Sequence, residues 1–303
     1  MRRFDDIVSE ALNISTDAAS LRRLLDDALN ELEFEYRLRA RKPYVKLLNV
    51  SDIVFYGDIH GDLDTFKELS KRYDIDDHLL NGGYVVFLGD YIDRGYMQLE
   101  TMVTLLLLKL EWRDRIVLLR GNHEPPSWLI PSPHDFPYVL VDRFGPLEGQ
   151  NLYSRFMELF EYLPLALYIP HEVVAFHGGP PISRVLKGIE GEELLDFDND
   201  PESIEEILWS DPIEEDVEWY YSYRGAGKLW GYKVTDRTLS ALNVKMLIRG
   251  HEPVNGWDVR HRGRVLTLFS MKGYYGNDIA ACLKLNLSEE EWSRNIDRHV
   301  ITV

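Results

Sequence analysis

Short apolar runs rich in β-branched residues recur along the chain, and each is followed directly by a glycine or a histidine. They cover residues 53–56, 84–88, 116–120, 173–176 and 246–249. Runs of this length and composition predict buried β-strands. Stretches with a helical pattern separate them, at residues 63–72, 99–109, 152–161 and 203–208. Strands that alternate with helices in this way are typical of an α/β fold.

The first part of the chain has a different periodicity. Apolar residues recur every three or four positions between Leu21 and Tyr36, which predicts an amphipathic helix. Asp17 or Ser20 is suited to cap its start, and Pro43 ends it. We expect residues 1–45 to form an N-terminal helical segment packed on a domain of residues 46–303. A helix that binds a partner is the alternative.

Composition narrows the class of protein. The chain has 303 residues, of which 45% are hydrophobic, and a net charge of -17. Such a charge argues against nucleic-acid binding through a basic face. No apolar run approaches the ~18–20 residues that span a bilayer, and no apolar segment near Met1 indicates a secretory signal. The single Cys282 excludes a disulfide within the chain, so we expect a cytoplasmic protein without a membrane partner.

Polar side chains with metal-binding chemistry follow all five predicted strands. In chain order they are Asp58 and His60, Asp90, Asn122, His177, and His251. Strand ends of an open α/β sheet meet at one edge, and oxygen and imidazole ligands suit divalent ions. Any one residue alone could form a turn, but five strand ends with this chemistry favour a metal site. A carboxylate such as Asp90 can bridge two ions, and paired ions are the usual apparatus for displacement at phosphorus.

The glycine-flanked strings 57–61, 89–95 and 121–124 resemble those of the metallophosphoesterase superfamily. Three later strings resemble more narrowly the phosphoprotein phosphatases, which are metal-dependent serine/threonine phosphatases. These strings are Leu-Trp-Ser-Asp-Pro at 208–212, the Arg224-Gly225 pair, and residues 266–277. The resemblance covers roughly residues 46–288. It implies two facing mixed β-sheets flanked by helices, with metals at one edge.

The resemblance also agrees with an assignment of ligands to two divalent ions. Asp58, His60 and Asp90 are expected to hold one ion. The ligands expected for the other ion are Asp90, Asn122, His177 and His251. Paired ions lower the pKa of bound water, so we expect direct attack by hydroxide without a phosphoenzyme. Manganese is the expected metal for reconstitution, and iron or zinc the candidates in the cell.

Basic and acid–base residues complete the predicted site. Arg94 and Arg120 flank ligands and Arg224 follows the 208–212 string; a planar guanidinium can hold two phosphate oxygens at once. A capping or ion-pair role is the alternative for Arg120 and likewise for Arg94. Tyr274 falls where the family has a tyrosine lining the phosphate pocket, although it could equally be a packing residue. The resemblance assigns His123 as the general acid and Asp93 as the residue that orients it.

We therefore expect a serine/threonine phosphatase acting on phosphoproteins. A dinucleoside polyphosphate hydrolase or another metallophosphoesterase is the alternative, and a non-catalytic phosphatase-like scaffold is a further one. The sequence departs from the family at residues 249–252, at 271–275, and in the proline-rich stretch 125–137. We expect residues 125–146 to form a surface loop beside the site, and the departures to affect substrate choice and inhibitor sensitivity. No regulatory partner is indicated.

Overall fold

The computed structural model describes residues 1–197 and 199–303. The helices are α1 Phe4–Ile14, α2 Ala18–Leu38, α3 Leu63–Arg72, α4 Ile75–Leu80, α5 Gln98–Trp112, α6 Phe136–Phe144, α7 Pro146–Phe160, α8 Ile182–Leu186, α9 Pro201–Trp209 and α10 Tyr232–Leu242. The strands are β1 Tyr44–Lys46, β2 Asp52–Tyr56, β3 Tyr84–Phe87, β4 Ile116–Leu118, β5 Ala166–Ile169, β6 Val173–Phe176, β7 Asp211–Pro212, β8 Trp219–Tyr221, β9 Lys228–Trp230, β10 Met246–Arg249, β11 Trp257–Arg260, β12 Val265–Leu268, β13 Ala281–Asn286 and β14 Val300–Thr302.

Two large sheets face each other across an apolar layer. Within the described residues, one sheet has six strands in the order β1-β5-β6-β10-β12-β11, and the other has five in the order β14-β13-β2-β3-β4. Both contain parallel and antiparallel pairs. Ile53 and Phe55 of β2 pack in this layer against residues of the first sheet such as Ile248. The predicted pair of facing mixed sheets is confirmed.

Helices cover the outer face of each sheet. Val54 and Tyr56 of β2, which alternate with the inward-facing residues, join a core with α1, α2, α3, α5 and α7. On the opposite side, α8, α9 and α10 cover the six-stranded sheet. Because both faces of β2 are buried, its sequence is a continuous apolar run. A small third sheet, β7-β9-β8, was not predicted.

The N-terminal segment contains two helices, and only the second was predicted. Asp17 caps α2 by accepting a hydrogen bond from the Ser20 backbone N–H at 2.8 Å. Both helices contact α5, and α2 also contacts α7. Tyr44 in β1 then pairs with Ala166 in β5, so the predicted boundary between residues 45 and 46 falls inside a sheet strand. The division into a segment and a domain stays a prediction.

The sequence analysis expects the proline-rich stretch 125–146 to form a loop, but only its first part does so. Its second half forms α6, which has Pro137 in its first turn, and α7 starts with Pro146. Proline is compatible with a first helical turn because the N–H groups there have no partner within the helix. Among the described helices, none combines the length and apolar character that crossing a membrane requires.

Candidate metal and phosphate site

The strand-end residues meet at one edge of the two facing sheets. Asp58 follows β2 and forms an isolated parallel bridge with Phe269, just beyond β12 of the other sheet. A Cβ on Gly57 would lie 2.0 Å from the Leu268 carbonyl oxygen, so only glycine allows this approach. Similarly, a Cβ on Gly89 would lie 2.5 Å from the Gly121 Cα. The glycines therefore allow the ligand-bearing loops to converge.

Asp90 lies between two histidines, as expected of a bridging ligand. Its Oδ2 is 3.5 Å from His60 Nε2, and its Oδ1 is 3.3 Å from His177 Nε2. The backbone of Asp90 has φ 58°, a left-handed conformation that aspartate tolerates better than most residues. The buried Glu124 carboxylate holds this turn by accepting from the Asp90 N–H at 2.8 Å.

Backbone contacts orient two histidines so that their Nε2 atoms point toward the same region. His60 Nδ1 donates to the Ile92 carbonyl at 2.8 Å, and His177 Nδ1 donates to the Leu88 carbonyl at 2.9 Å. Burial lowers the pKa of His60 to about 4, so its neutral ring presents an unprotonated Nε2 to Asp90. Burial also lowers the pKa of His177, but the charge of Asp90 outweighs it and raises the pKa to about 9, a positive charge that a metal ion at this position would replace. Both nitrogens therefore fit a divalent ion bound beside Asp90.

Asn122 adds an oxygen to this set. Its Oδ1 lies 2.9 Å from both His177 Nε2 and His251 Nδ1. With the amide turned over, its nitrogen would instead donate to these imidazoles and, at 3.1 Å, to Asp90. The first orientation is the one a cation favours, because it turns the amide oxygen toward the other ligand atoms.

The carboxylates also require compensation by positive charge. Burial and the nearby charge of Asp90 raise the pKa of Asp58 to about 7. Asp58 Oδ1 accepts a hydrogen bond from the His251 backbone N–H at 2.8 Å, and its Oδ2 lies 3.9 Å from His60 Nε2. Two buried carboxylates that face imidazole nitrogens fit a pair of divalent ions, with Asp90 between the two groups.

His123 and Asp93 form a buried pair beside these ligands. His123 Nδ1 lies 2.5 Å from Asp93 Oδ2, and the His123 backbone N–H donates to Asp90 Oδ1 at 2.9 Å. Burial lowers the pKa of His123, but the charge of Asp90 and the hydrogen bond to Asp93 outweigh it and raise the pKa above its ordinary value. The imidazole can therefore carry the proton that a general acid must deliver.

A cavity of about 480 Å³ opens above this group. The predicted site residues that line it are Asp58, His60, Asp90, Arg94, Asn122, His123, Arg224 and His251. His177 lies beneath it, fully buried. The Arg94 Nε is buried without a hydrogen-bond partner among the described residues, and its Nη2 lies 3.4 Å from His123 Nε2. Arg224 is fixed by Asp211, whose Oδ2 accepts from Nε at 2.6 Å.

Two predicted phosphate-binding residues lie elsewhere and need correction. Arg120 is buried outside the cavity, where Glu161 accepts from both of its terminal nitrogens at 3.0 and 2.9 Å and the Glu124 carbonyl accepts from Nε. The ion-pair alternative therefore describes Arg120. Tyr274 is half exposed and does not line the cavity; the next residue, Tyr275, does. The conformation of this loop determines which of the two adjacent tyrosines lines the cavity, and the sequence pattern does not show it.

Two residues of the cavity wall had no role in the predicted site. Glu252 and Arg260 line the cavity, and Arg260 Nη1 donates to Glu252 at 3.1 Å. The fully buried Arg249 donates to Asp211 at 2.9 Å and also to Glu252. Glu252 could have been found from the sequence, because it stands where the family has glutamine. No local pattern singles out Arg260, since β11 resembles any half-buried strand.

A two-sheet α/β fold with these ligands at one edge defines a metallophosphoesterase. The sequence profile of the calcineurin-like phosphoesterases matches residues 51–255, and the chain belongs to this family. A protein of Encephalitozoon cuniculi (strain GB-M1) named "Probable serine/threonine-protein phosphatase" is 34% identical over 229 residues, which are 75% of this chain and 48% of that protein. The chain thus spans about half the length of this curated relative.

Solved structures share the fold. A protein serine/threonine phosphatase of Saccharomyces cerevisiae has a TM-score of 0.76 and 22% identity, over 95% of this chain and 89% of that one. A cold-active protein-tyrosine phosphatase of a psychrophilic Shewanella has a TM-score of 0.57 and 18% identity, over 81% and 79% of the two chains. These likenesses confirm the fold, and the family match confirms the resemblance to the metallophosphoesterases drawn from the motifs.

Proposed function

We propose that this protein is a serine/threonine protein phosphatase that hydrolyses phosphomonoesters with two divalent ions. The observation that carries the proposal is the position of Asp90, 3.5 Å from His60 Nε2 and 3.3 Å from His177 Nε2, beneath a cavity that also holds Arg94 and His123. The family match and the name of the Encephalitozoon cuniculi relative support the choice of reaction.

In the proposed mechanism, different residues of the cavity act in different steps of the hydrolysis. A phosphomonoester carries close to two negative charges, and Arg94 and Arg224 bind its oxygens from the cavity wall. Divalent ions held by the aspartates, histidines and Asn122 would neutralise phosphate charge and activate a water molecule as nucleophile. His123 Nε2 faces the cavity and donates a proton to the departing alkoxide, while Asp93 holds the opposite ring nitrogen at 2.5 Å.

The proposed reaction does not include a covalent intermediate between the enzyme and the phosphoryl group. Among the serine and cysteine side chains of the described residues, Ser132 is the one that lines the cavity, where no hydrogen bond joins it to a base, and Cys282 is buried in β13. The proposal therefore takes a water molecule as the attacking group, in a single displacement at phosphorus. Manganese for reconstitution, iron or zinc in the cell, a phosphoprotein substrate and a cytoplasmic location are parts of the same proposal.

The test compares substrates of different classes. Metal-free enzyme is reloaded with manganese, iron or zinc, and rates are measured on a phosphoserine peptide, the matched phosphotyrosine peptide and diadenosine tetraphosphate. We expect the phosphoserine peptide to give the highest kcat/KM. A preference for the tyrosine peptide would move the protein toward the activity named for the Shewanella structure. A preference for the dinucleotide, or no turnover with any metal, would reject the proposal.

A further inference from the structure

Asp93 is shared by two histidines. Its Oδ2 accepts from His123 Nδ1 at 2.5 Å and also lies 2.6 Å from His134 Nδ1. Its Oδ1 accepts from the backbone N–H groups of Asp135 and Phe136 at 2.9 and 2.8 Å. The side chain of His134 is only 6% exposed, so this contact excludes water. Three consecutive residues at the start of α6 therefore hold both carboxylate oxygens.

A tyrosine fixes the tautomer of His134. The Tyr153 hydroxyl in α7 lies 2.9 Å from His134 Nε2, and the two rings are 5.6 Å apart. If the hydroxyl donates to Nε2, then Nδ1 carries the proton and donates to Asp93. The opposite tautomer would turn a lone pair toward the carboxylate, which is unfavourable in a buried site. Tyr153, His134, Asp93 and His123 thus form one chain of hydrogen bonds that ends at the cavity.

The same stretch also holds the loop that carries Asp93. Asp135 Oδ1 accepts from the Arg94 backbone N–H at 3.3 Å, and its Oδ2 accepts from Gln98 Nε2 at 2.6 Å. Asp93 itself has φ 65°, a left-handed conformation that carries strain in a residue other than glycine. The contacts from residues 134–136 offset this strain. His134 lies in the proline-rich stretch where the sequence departs from the resembled phosphatases.

We propose that His134 is a positioning residue for the general acid. It holds Asp93 Oδ2 against the Nδ1 of His123, so that His123 Nε2 points into the cavity beside Arg94. This inference rests on the proposed phosphatase function. The expected effect of losing His134 is partial, because the two backbone donors still hold Asp93 Oδ1.

The test uses three variants of the metal-loaded enzyme. His134→Phe keeps a ring but removes the donor, His134→Asn keeps a donor near the position of Nδ1, and Tyr153→Phe removes only the hydroxyl. On the phosphoserine peptide we expect His134→Phe to lower kcat about tenfold, a part of the 10²–10⁴-fold that general acid catalysis supplies, with KM unchanged. On p-nitrophenyl phosphate, whose leaving group needs no proton, the loss is expected to stay below about twofold.

Rescue and spectroscopy separate positioning from packing. We expect His134→Asn to recover most of the activity lost in His134→Phe, and Tyr153→Phe to show a smaller loss with the same substrate dependence. Proton NMR with histidine labelled at the ring nitrogens should show two strongly deshielded Nδ1–H signals in the unmodified protein and one in His134→Phe. His171→Asn is the matched control, because His171 is exposed and its Nδ1 contacts Asn243.

Three outcomes would overturn the inference. They are equal losses on both substrates, no rescue by asparagine, and loss of a metal ion from His134→Phe, which would make His134 a ligand together with Asp93 and His123. Failure of the unmodified protein to hydrolyse the phosphoserine peptide would instead reject the proposed function. In that case the NMR signals still report whether His134 donates to Asp93.

Discussion

At the scale of single residues, Asp90 is the side chain on which the metal site most depends. Because it lies between His60 and His177, Asp90→Asn removes a negative charge that both ions would share. We expect this variant to stay folded, to lose bound metal and to lose nearly all activity. Thermal unfolding, metal analysis and a phosphatase assay check the three parts separately. Asp27→Asn is the control, since Asp27 is exposed on α2. A single ion per chain in fully active unmodified enzyme would contradict the two-ion site.

The general acid predicts a dependence on the leaving group. We expect His123→Asn to lower kcat on a phosphoserine peptide by about 10²–10⁴-fold, the usual worth of general acid catalysis, and to affect p-nitrophenyl phosphate much less. Asp93→Asn should give a similar but smaller pattern, because the imidazole remains and loses only the buried partner that favours its charged form. Metal content should be unchanged in both. Equal losses on both substrates would assign His123 to phosphate binding or water positioning.

Two arginines that are similar in sequence context should behave differently. Arg94→Lys is expected to lower kcat/KM with little effect on stability, because a lysine cannot bind two phosphate oxygens at once. Arg120→Lys is expected to lower the free energy of unfolding by about 1–3 kcal/mol, since it breaks the paired contacts with Glu161 and leaves the Glu124 carbonyl without its buried donor. Denaturant unfolding and steady-state kinetics on both variants check this. A lower kcat/KM in Arg120→Lys, with a lower free energy of unfolding in Arg94→Lys, would instead show that Arg120 binds phosphate.

The contrast between these arginines marks the limit of sequence reasoning at this scale. The convergence of the candidate ligands was predictable because each follows an apolar run, so the end of the strand sets its place. Arg120 is the last residue of such a run, yet its guanidinium points away from the cavity toward α7, which no local pattern records. His134 lies in a stretch without periodicity, and its contact with Asp93 spans 41 residues. Long-range contacts of this kind depend on tertiary structure and leave no signal in spacing.

At the scale of elements, segments with a strong periodicity were predicted correctly, whereas segments that are short or contain several prolines were not. The predicted helix at 63–72 coincides with α3, which Asp62 caps by accepting from the Thr65 N–H at 3.1 Å. By contrast, α6 was predicted as loop because its prolines suggested turns, although Pro137 stands in the first turn where the backbone tolerates it. The three residues of β1 are too few for a recognisable alternation. They form a strand because β5 provides a parallel partner.

The packing of α2 predicts how the N-terminal segment contributes to stability. Leu25 is fully buried in the core that α2 shares with α5 and α7. We expect Leu25→Ala to lower the free energy of unfolding by about 2–5 kcal/mol, the usual cost of an Ala substitution in a core. Leu12→Ala on α1, where the side chain is 40% exposed, is the control and should cost much less. Denaturant unfolding with one shared transition would show that the segment and the rest unfold together. Two separate transitions would support residues 1–45 as an independent unit.

At the scale of the whole molecule, the site depends on the meeting of two sheets. Ligands from β2, β3 and β4 belong to one sheet, while His177 and His251 follow strands of the other. The sheets are held in register near the site by the Asp58–Phe269 bridge and by Gly57, whose hydrogen atom leaves room for the Leu268 carbonyl. Spacing along the chain predicted the strand ends, but only the resemblance implied two sheets. The pairing of distant strands is a tertiary property, and the motifs alone do not encode it.

The overall charge predicts a preference among peptide substrates. The chain carries a net charge of -17, whereas Arg94, Arg224 and Arg260 line the cavity. The distant field therefore repels anionic substrates, and the arginines act only once the phosphate has entered. We expect a phosphoserine peptide with basic flanking residues to have a kcat/KM about tenfold above that of the matched peptide with acidic flanks, a modest part of the known range of electrostatic steering.

Salt should reduce this preference, because raising the ionic strength from about 0.05 to 0.5 M shortens the Debye length to less than half its starting value. We expect the ratio of the two kcat/KM values to fall toward one, mostly through loss of rate on the basic peptide. A peptide with uncharged flanks is the control for general effects of salt on the enzyme and its metals. A ratio that stays constant across this range would mean that contacts at the cavity mouth, rather than the field of the acidic surface, select the substrate.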